Sequence, residues 1–284
     1  MNIVVCIKQV PDSAQIRVHP VTNTIMRQGV PTIINPFDLF SIEEALRLKD
    51  QFGAKITVLT MGPKMAEQAL RKTLTFGADE AILLTDRAFA GSDTLATSLT
   101  LATAITKINE TKPIDIVFCG KQTIDGDTAQ VGPGIAVRLG IQQLTYISKI
   151  VSIDLDAREI IVHRCVESGT QVLKTKLPCL ITLFEGTNVI RFGTMTNAFR
   201  AARYKLIEWS ATDSGISDVS QCGLRGSPTV VKKVFAPSAR TDKTIFISGE
   251  TPEIISQTLI DTLFSSYPSL QKDLFDISSQ GVSK

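Results

Sequence analysis

The chain has 284 residues, 43% of them hydrophobic and 20% charged, with 30 lysines and arginines against 28 acids. That length gives one large domain or two small ones, and this balance excludes a disordered chain. A net charge of +2 offers no field for nucleic acid or an anionic membrane, and no apolar run reaches the roughly 18 residues of a membrane span.

The N-terminus MNIVVCIKQV runs straight into a strand pattern with no basic leader or cleavage site, which reads as an untargeted start. Residues 2–8 are a nearly continuous apolar run, as in a strand covered on both faces. Pro11 and Asp12 close it in a turn, and 14–27 reads as irregular or hairpin structure. Asn35-Pro36-Phe37-Asp38 is a helix start: asparagine caps, proline suits the first turn, and the acid at the third position answers the cap's N–H. The helix carries Leu39, Ile42, Ala45 and Leu46 on one face and stops at Gly53. Strand 54–60, helix to Phe76, strand 80–84, a polar loop with Ser92 or Asp93 as cap, a helix to about Asn109 and strand 114–118 follow in turn. This alternation predicts a parallel sheet with right-handed crossovers, in which ligands bind beyond the carboxyl ends of the strands.

After the strand at 114–118 comes a Gly-rich polar loop, and Pro133 places a helix whose first turn covers about 130–133. A strand, such a loop and a helix start make an anion site, because the first N–H groups of the helix lack partners and its dipole is positive there. The loop matches neither G-x-x-x-x-G-K-[ST] nor G-x-G-x-x-G. Loops 8–12, 35–38, 61–63 and 120–131, with 85–93 beside them, meet at one sheet edge, which points to a nucleotide.

Beyond Gly140 the pattern alternates at 146–154, 159–167 and 171–177, the mark of an antiparallel meander, and 178–184 returns to a buried strand. Segment 188–205 reads as basic and exposed, either a solvated helix or a docking loop. Residues 210–244 read as extended, and Thr251-Pro252-Glu253 opens a last helix bearing Ile254, Ile255, Leu259, Ile260 and Leu263. An extended arm with one amphipathic helix reads as wrapping on a partner chain. The five cysteines are odd in number and form no C-x-x-C pair, which fits a reducing, cytoplasmic compartment and no metal or disulfide role. With only His19 and His163 present, histidine catalysis is not expected.

Three stretches resemble the electron-transfer flavoprotein beta subunit: Val-Cys-Ile-Lys-Gln-Val-Pro-Asp at 5–12, Asn-Pro-Phe-Asp at 35–38 with Glu-Glu-Ala-Leu at 43–46, and Gly-Lys-Gln-x-x-Asp-Gly-Asp-Thr-x-Gln-Val-Gly-Pro at 120–133. The resemblance spans about 1–205. It implies an α/β nucleotide-binding domain of the adenine nucleotide alpha hydrolase-like kind over 1–208, with an antiparallel insertion at about 144–177 and a C-terminal arm over 209–284 on the alpha subunit. The implied cofactor-binding residues are Cys6, Ile7, Lys8, Asn35, Asp38 and Met61, together with Gly120, Thr123, Asp125, Gly126, Asp127, Thr128, Gln130, Val131 and Gly132. The N–H groups of 126–132 and the Thr128 hydroxyl are to hold phosphate. Housekeeping members of the family carry AMP in this pocket; electron-bifurcating members carry a second FAD.

Two features resemble the bifurcating group. Asp-Arg-Ala-Phe-Ala-Gly-Ser-Asp-Thr at 86–94 is similar to a loop beside that second flavin, which implies an NADH site from Arg87, Phe89, Ala90, Gly91, Ser92, Asp93 and Thr94. Ser13 stands where housekeeping members tend to carry tyrosine. Arg-Phe-Gly-Thr-Met-Thr-Asn at 191–197 resembles the family's docking loop, with Arg191 and Met195 at the recognition positions, although Ala198-Phe199 replaces the usual Ile-Met. The implied partners are the alpha subunit, an acyl-CoA dehydrogenase-like or lactate dehydrogenase-like enzyme, and ferredoxin. A hydrolytic or adenylating enzyme of similar fold would want a Ser/Gly-rich loop after the first strand, and Lys8-Gln9-Val10-Pro11-Asp12 is not one. A non-redox nucleotide-binding module is the remaining alternative.

Overall fold

The computed structural model describes residues 1–12, 17–18, 25–26, 31–232, 244–270 and 272; Ser13 lies outside them. The contacts divide the chain into two units, Met1–Ala236 and Pro237–Lys284.

In the first unit β1 (Asn2–Cys6) leads into two antiparallel pairs, β2 (Gln9–Pro11) with β5 (Thr32–Ile34) and, between them, β3 (Arg17–Val18) with β4 (Ile25–Met26). Then come α1 (Pro36–Phe52), β6 (Lys55–Met61), α2 (Glu67–Phe76), β7 (Glu80–Leu84), α3 (Thr94–Thr111), β8 (Ile116–Gly120) and α4 (Val131–Leu139). The meander β9 (Gln142–Asp154), β10 (Glu159–Val166) and β11 (Gly169–Lys176) precedes β12 (Cys179–Leu183), α5 (Met195–Arg203) and β13 (Ile207–Trp209). One nine-stranded sheet runs β11-β10-β9-β12-β8-β1-β6-β7-β13. It is parallel from β9 to β13 and antiparallel across β9, β10 and β11.

Alternation of side chains along each strand separates two cores. Ile3, Val5 and Phe118 face one way, with Ile42 and Leu46 of α1 and Leu70 and Leu74 of α2. Val4, Cys6 and Val117 face the other, with Leu101 and Ile105 of α3 and Ile135 of α4. Because both faces are covered, the central strands are near-continuous apolar runs, which is why they were readable in the sequence.

The winding sets the site. From β1 the chain steps to β6 and β7 on one side, then returns to place β8 on the other. The strand order reverses between β1 and β8, so a crevice opens beyond Cys6 and Gly120.

The first unit does not end at 208. Ala211 and Cys222 are buried in the α3-side core and Ser214 is fully buried, so 210–232 is a string of turns with a short 3-10 turn at Val219–Gln221 rather than an extended run. The second unit contains α6 (Pro252–Ser266), whose N-cap is Thr251 and which has no buried residue. Among the described residues no helix is long and apolar enough to cross a membrane.

Candidate functional site at the seam between β1 and β8

The seam is locked by Asn35, which precedes α1, and by Asp38 in its first turn. Asp38 accepts the N–H of Lys8 at 2.7 Å and the N–H of Gly120 at 3.1 Å, tying the ends of β1 and β8 to one carboxyl group. The Asn35 side chain donates to the carbonyl of Gln122 at 2.8 Å and accepts the N–H of Ile124 at 3.2 Å. Neither residue makes the helix cap its position in the sequence announces. Asn35 makes no side-chain cap bond, and its own N–H goes to the carbonyl of Lys8, not to Asp38. Both side chains are buried, so they hold the site's frame from behind. Burial pushes the Asp38 carboxyl up to about 7, outweighing the opposing contacts from Asn35, the two N–H donors and Lys8. Cys6 and Ile7 are also buried, and Met61 packs on the α3-side core, so β1 and β6 offer the crevice mainly backbone.

Loop 121–130 has three further side-chain ties. The Lys121 ammonium lies 4.7 Å from the Phe184 ring, 5.3 Å from Phe37 and 5.5 Å from Tyr146. Lys8 reaches Asp125 at 2.7 Å; half-burial opposes ionisation there, yet the Lys8 contact holds that carboxyl below its ordinary value. Thr94 at the head of α3 donates its hydroxyl to the Gln130 side chain at 2.8 Å.

Between these ties part of the backbone is left-handed. Asp127 and Ala129 have φ of 50° and 54°, a left-handed conformation costly for residues other than glycine, and Gln130 returns to the right-handed region. A left-handed residue followed by a right-handed one turns successive N–H groups to one concave side, a shape that binds anions. The N–H groups of Gly126 and Asp127 are used internally by the carbonyl of Thr123. Those of Thr128, Ala129, Gln130, Val131 and Gly132 have no partner among the described residues. The seven N–H groups expected from the sequence therefore narrow to five, at the positive end of α4.

Loop 86–94 lies next to this cradle, but only part of it is free. Phe89 is buried in the α3-side core. Asp86 accepts the N–H of Ala88 and of Ala211, and these N–H groups, Ala88 first, hold its carboxyl below the usual range. Asp93 caps α3 through the N–H groups of Leu95 and Ala96, each at 3.0 Å, and its other oxygen takes the N–H and hydroxyl of Thr229. Ser92 donates to the carbonyl of Phe89 and accepts the N–H of Gly223. Arg87, Ala90 and Gly91 form the exposed surface, and the Arg87 side chain has no ion pair among the described residues. The backing segment 211–229 was invisible to sequence reasoning, since its Ser, Gly and Asp content is that of a linker; Cys222 within it was the one clue.

In the third predicted site Arg191 is not free to meet a partner. It grips Glu43 of α1 through Nε at 2.9 Å and Nη2 at 2.9 Å, and Asp50 at 2.8 Å. Arg200 caps the end of α2 through the carbonyl of Ala78 at 2.6 Å. What the segment presents is apolar: Val189, Phe192, Met195 and Phe199 are 92%, 93%, 73% and 59% exposed. The basic segment is thus an apolar display anchored by its arginines.

A family model described as "Electron transfer flavoprotein domain" matches residues 22–214, a span holding the cradle and the 86–94 loop. The chain belongs to the electron-transfer flavoprotein family. This flavoprotein chain is 65% identical over 276 residues to "Protein FixA" of Azorhizobium caulinodans, covering 96% of its own length and 98% of the relative's. It is 60% identical over 276 residues to "Protein FixA" of Azotobacter vinelandii, again 96% and 98% of the two chains. It is 45% identical over 267 residues to "Electron transfer flavoprotein subunit beta" of Thermoanaerobacterium thermosaccharolyticum, 94% and 99% of the two. Likeness along nearly the whole length makes this an electron-transfer flavoprotein chain of the beta-subunit type.

Proposed function

We propose that this chain is the beta subunit of a cytoplasmic heterodimer, that it holds FAD at the seam between β1 and β8, and that it takes NADH over the exposed surface of loop 86–94. The observation carrying this reading is the row of five N–H groups at 128–132 that have no partner among the described residues, beside a loop joined to it through Thr94 and Gln130.

The donor set fits a diphosphate. N–H groups bind its oxygens without a counter-charge, and the nearby lysines are already engaged, Lys8 on Asp125 and Lys121 over three aromatic rings. Asp38 and Asn35 would keep strand ends and loop in register under the adenosine, the Thr128 hydroxyl would add a donor, and Arg87 would face the NADH diphosphate. When bound, the flavin supplies the redox chemistry: a hydride in from NADH, then one electron to the flavin of the alpha subunit and one to a low-potential acceptor such as ferredoxin. No side chain of this chain has to act as general acid or base. Phe192 and Met195 would meet an acyl-CoA dehydrogenase-like or lactate dehydrogenase-like enzyme that accepts electrons from the alpha flavin.

Titration of the purified heterodimer with NADH tests the reading. The flavin absorbance near its visible maximum is expected to bleach; a spectrum unmoved by excess NADH would favour a pocket filled by AMP.

A further inference from the structure

Segment 210–229, whose composition is that of a linker, sends several of its polar groups to one target. The N–H of Ala211 goes to Asp86, the N–H of Gly223 to Ser92, and the N–H of Leu224 to the carbonyl of Ala90. Ser227 accepts the N–H of Asp93 at 2.8 Å and donates to the carbonyl of Gly223 at 2.6 Å. Thr229 gives both its N–H and its hydroxyl to Asp93, the latter at 2.8 Å. Apart from the bond between Ser227 and Gly223, which is internal to the segment, these contacts land within 86–93 and leave the Arg87 side chain exposed. Shape agrees with bonding. A Cβ added to Gly223 would stand 2.2 Å from the carbonyl oxygen of Ala88, and one added to Gly91 would stand 3.3 Å from the Leu224 side chain.

We propose that residues 223–229 are a positioning wall for the NADH-binding turn: Gly223, Ser227 and Thr229 set the conformation of 87–91 without touching the nucleotide. The inference rests on the NADH reading given above. A turn of this kind has little support of its own, since its single short 3-10 turn spans Arg87–Phe89 and only Phe89 of the three is buried. Besides short local bonds such as those from Ser92 to Phe89 and from Ala88 to Asp86, it is held by bonds to residues more than 120 positions away in the chain. Asp93 joins the two halves: one oxygen fixes the head of α3 and the other fixes Thr229. Loss of the wall should therefore free the turn and leave the helix and the cradle at 128–132 in place. Ordering a loosened turn at the moment of binding weakens affinity, because its conformational entropy is then lost on binding.

The test uses the purified heterodimer and compares Thr229→Val, Thr229→Ser and Gly223→Ala with the parent. Thr229→Val keeps shape and the backbone bond and removes the hydroxyl donor. It is expected to raise the NADH concentration for half-bleaching by about tenfold, and to speed amide exchange over 87–92 but not over 128–132. Released FAD and the thermal midpoint should stay as in the parent. Thr229→Ser should restore both the half-bleaching concentration and the exchange rates. Gly223→Ala should show the larger effect where it folds. An unchanged half-bleaching concentration and unchanged exchange over 87–92 in Thr229→Val would overturn the inference. So would a loss of FAD and thermal stability in proportion to the NADH effect. If the parent itself is not bleached by NADH, the underlying reading fails, and the inference with it.

Discussion

Gly120 and Asp38 show how little room the seam leaves. A Cβ at Gly120 would stand 2.4 Å from Asp38 Oδ1 and 2.8 Å from the backbone of Phe37, none of which can retreat without opening the joint between β1 and β8. Gly120→Ala should cost about 1–3 kcal/mol by overpacking, measured by chemical denaturation, and should lower nucleotide retention in the same preparation. Asp38 makes a pH-dependent contribution whose sign follows from its raised value. The folded protein binds the proton more tightly than the unfolded chain does, where the carboxyl titrates at 3.8, so this residue's contribution falls as pH rises from about 4 to about 7 and is constant outside that window. The slope approaches about 1.4 kcal/mol per pH unit inside the window. Denaturation midpoints of the parent and Asp38→Asn at several pH values should differ by an amount that changes across this window and levels off above it. A constant difference from pH 4 to 8 would mean that Asp38 titrates normally.

Helix α1 is the element that connects the candidate sites. Its first turn holds the seam and the 121–130 loop through Asn35 and Asp38, and its middle holds the 188–195 segment through Glu43 and Glu44, which bond Arg191 and Asn188. The sequence marked the bounds of this helix through Pro36 and Gly53, because helix start and termination are local, although Asn35 makes no side-chain cap bond. It could not reveal that Asn35 and Asp38 serve residues more than 80 positions away, or that Glu43 is buried against Arg191. Those are tertiary contacts, and a carboxylate amid Ile42, Ala45 and Leu46 reads from sequence as the helix's wet face. Arg191→Ala would leave the Glu43 carboxylate, with its side chain 5% exposed, without its cation. A loss of about 3 kcal/mol is expected, together with faster proteolysis within 188–195. Unchanged cleavage there would show that the apolar display of Phe192 and Met195 does not depend on the clamp.

At the scale of the whole molecule, the doubly wound sheet, the meander and the final helix were legible, because each rests on a local period: buried runs, alternation, or a capped amphipathic stretch. The extent of the first unit was not legible. Nothing in the composition of 210–232 signals that Ala211, Ser214 and Cys222 go inside. The second unit poses the opposite problem. On α6 the residues Ile254, Leu259, Ile260 and Leu263 are 49%, 45%, 44% and 38% exposed, an apolar surface among the described residues of its unit. If it serves the alpha subunit, Leu259→Asp with Leu263→Asp should leave the thermal midpoint of the isolated chain within the small change typical of surface substitutions while abolishing heterodimer formation in size-exclusion chromatography. Retained assembly would place the contact elsewhere.

The claim on which the functional reading turns is that the cradle at 128–132 holds a flavin dinucleotide. Denaturing the purified heterodimer and quantifying the released nucleotides tests it directly. The expected result is two FAD per heterodimer and no AMP; one FAD with one AMP would contradict it.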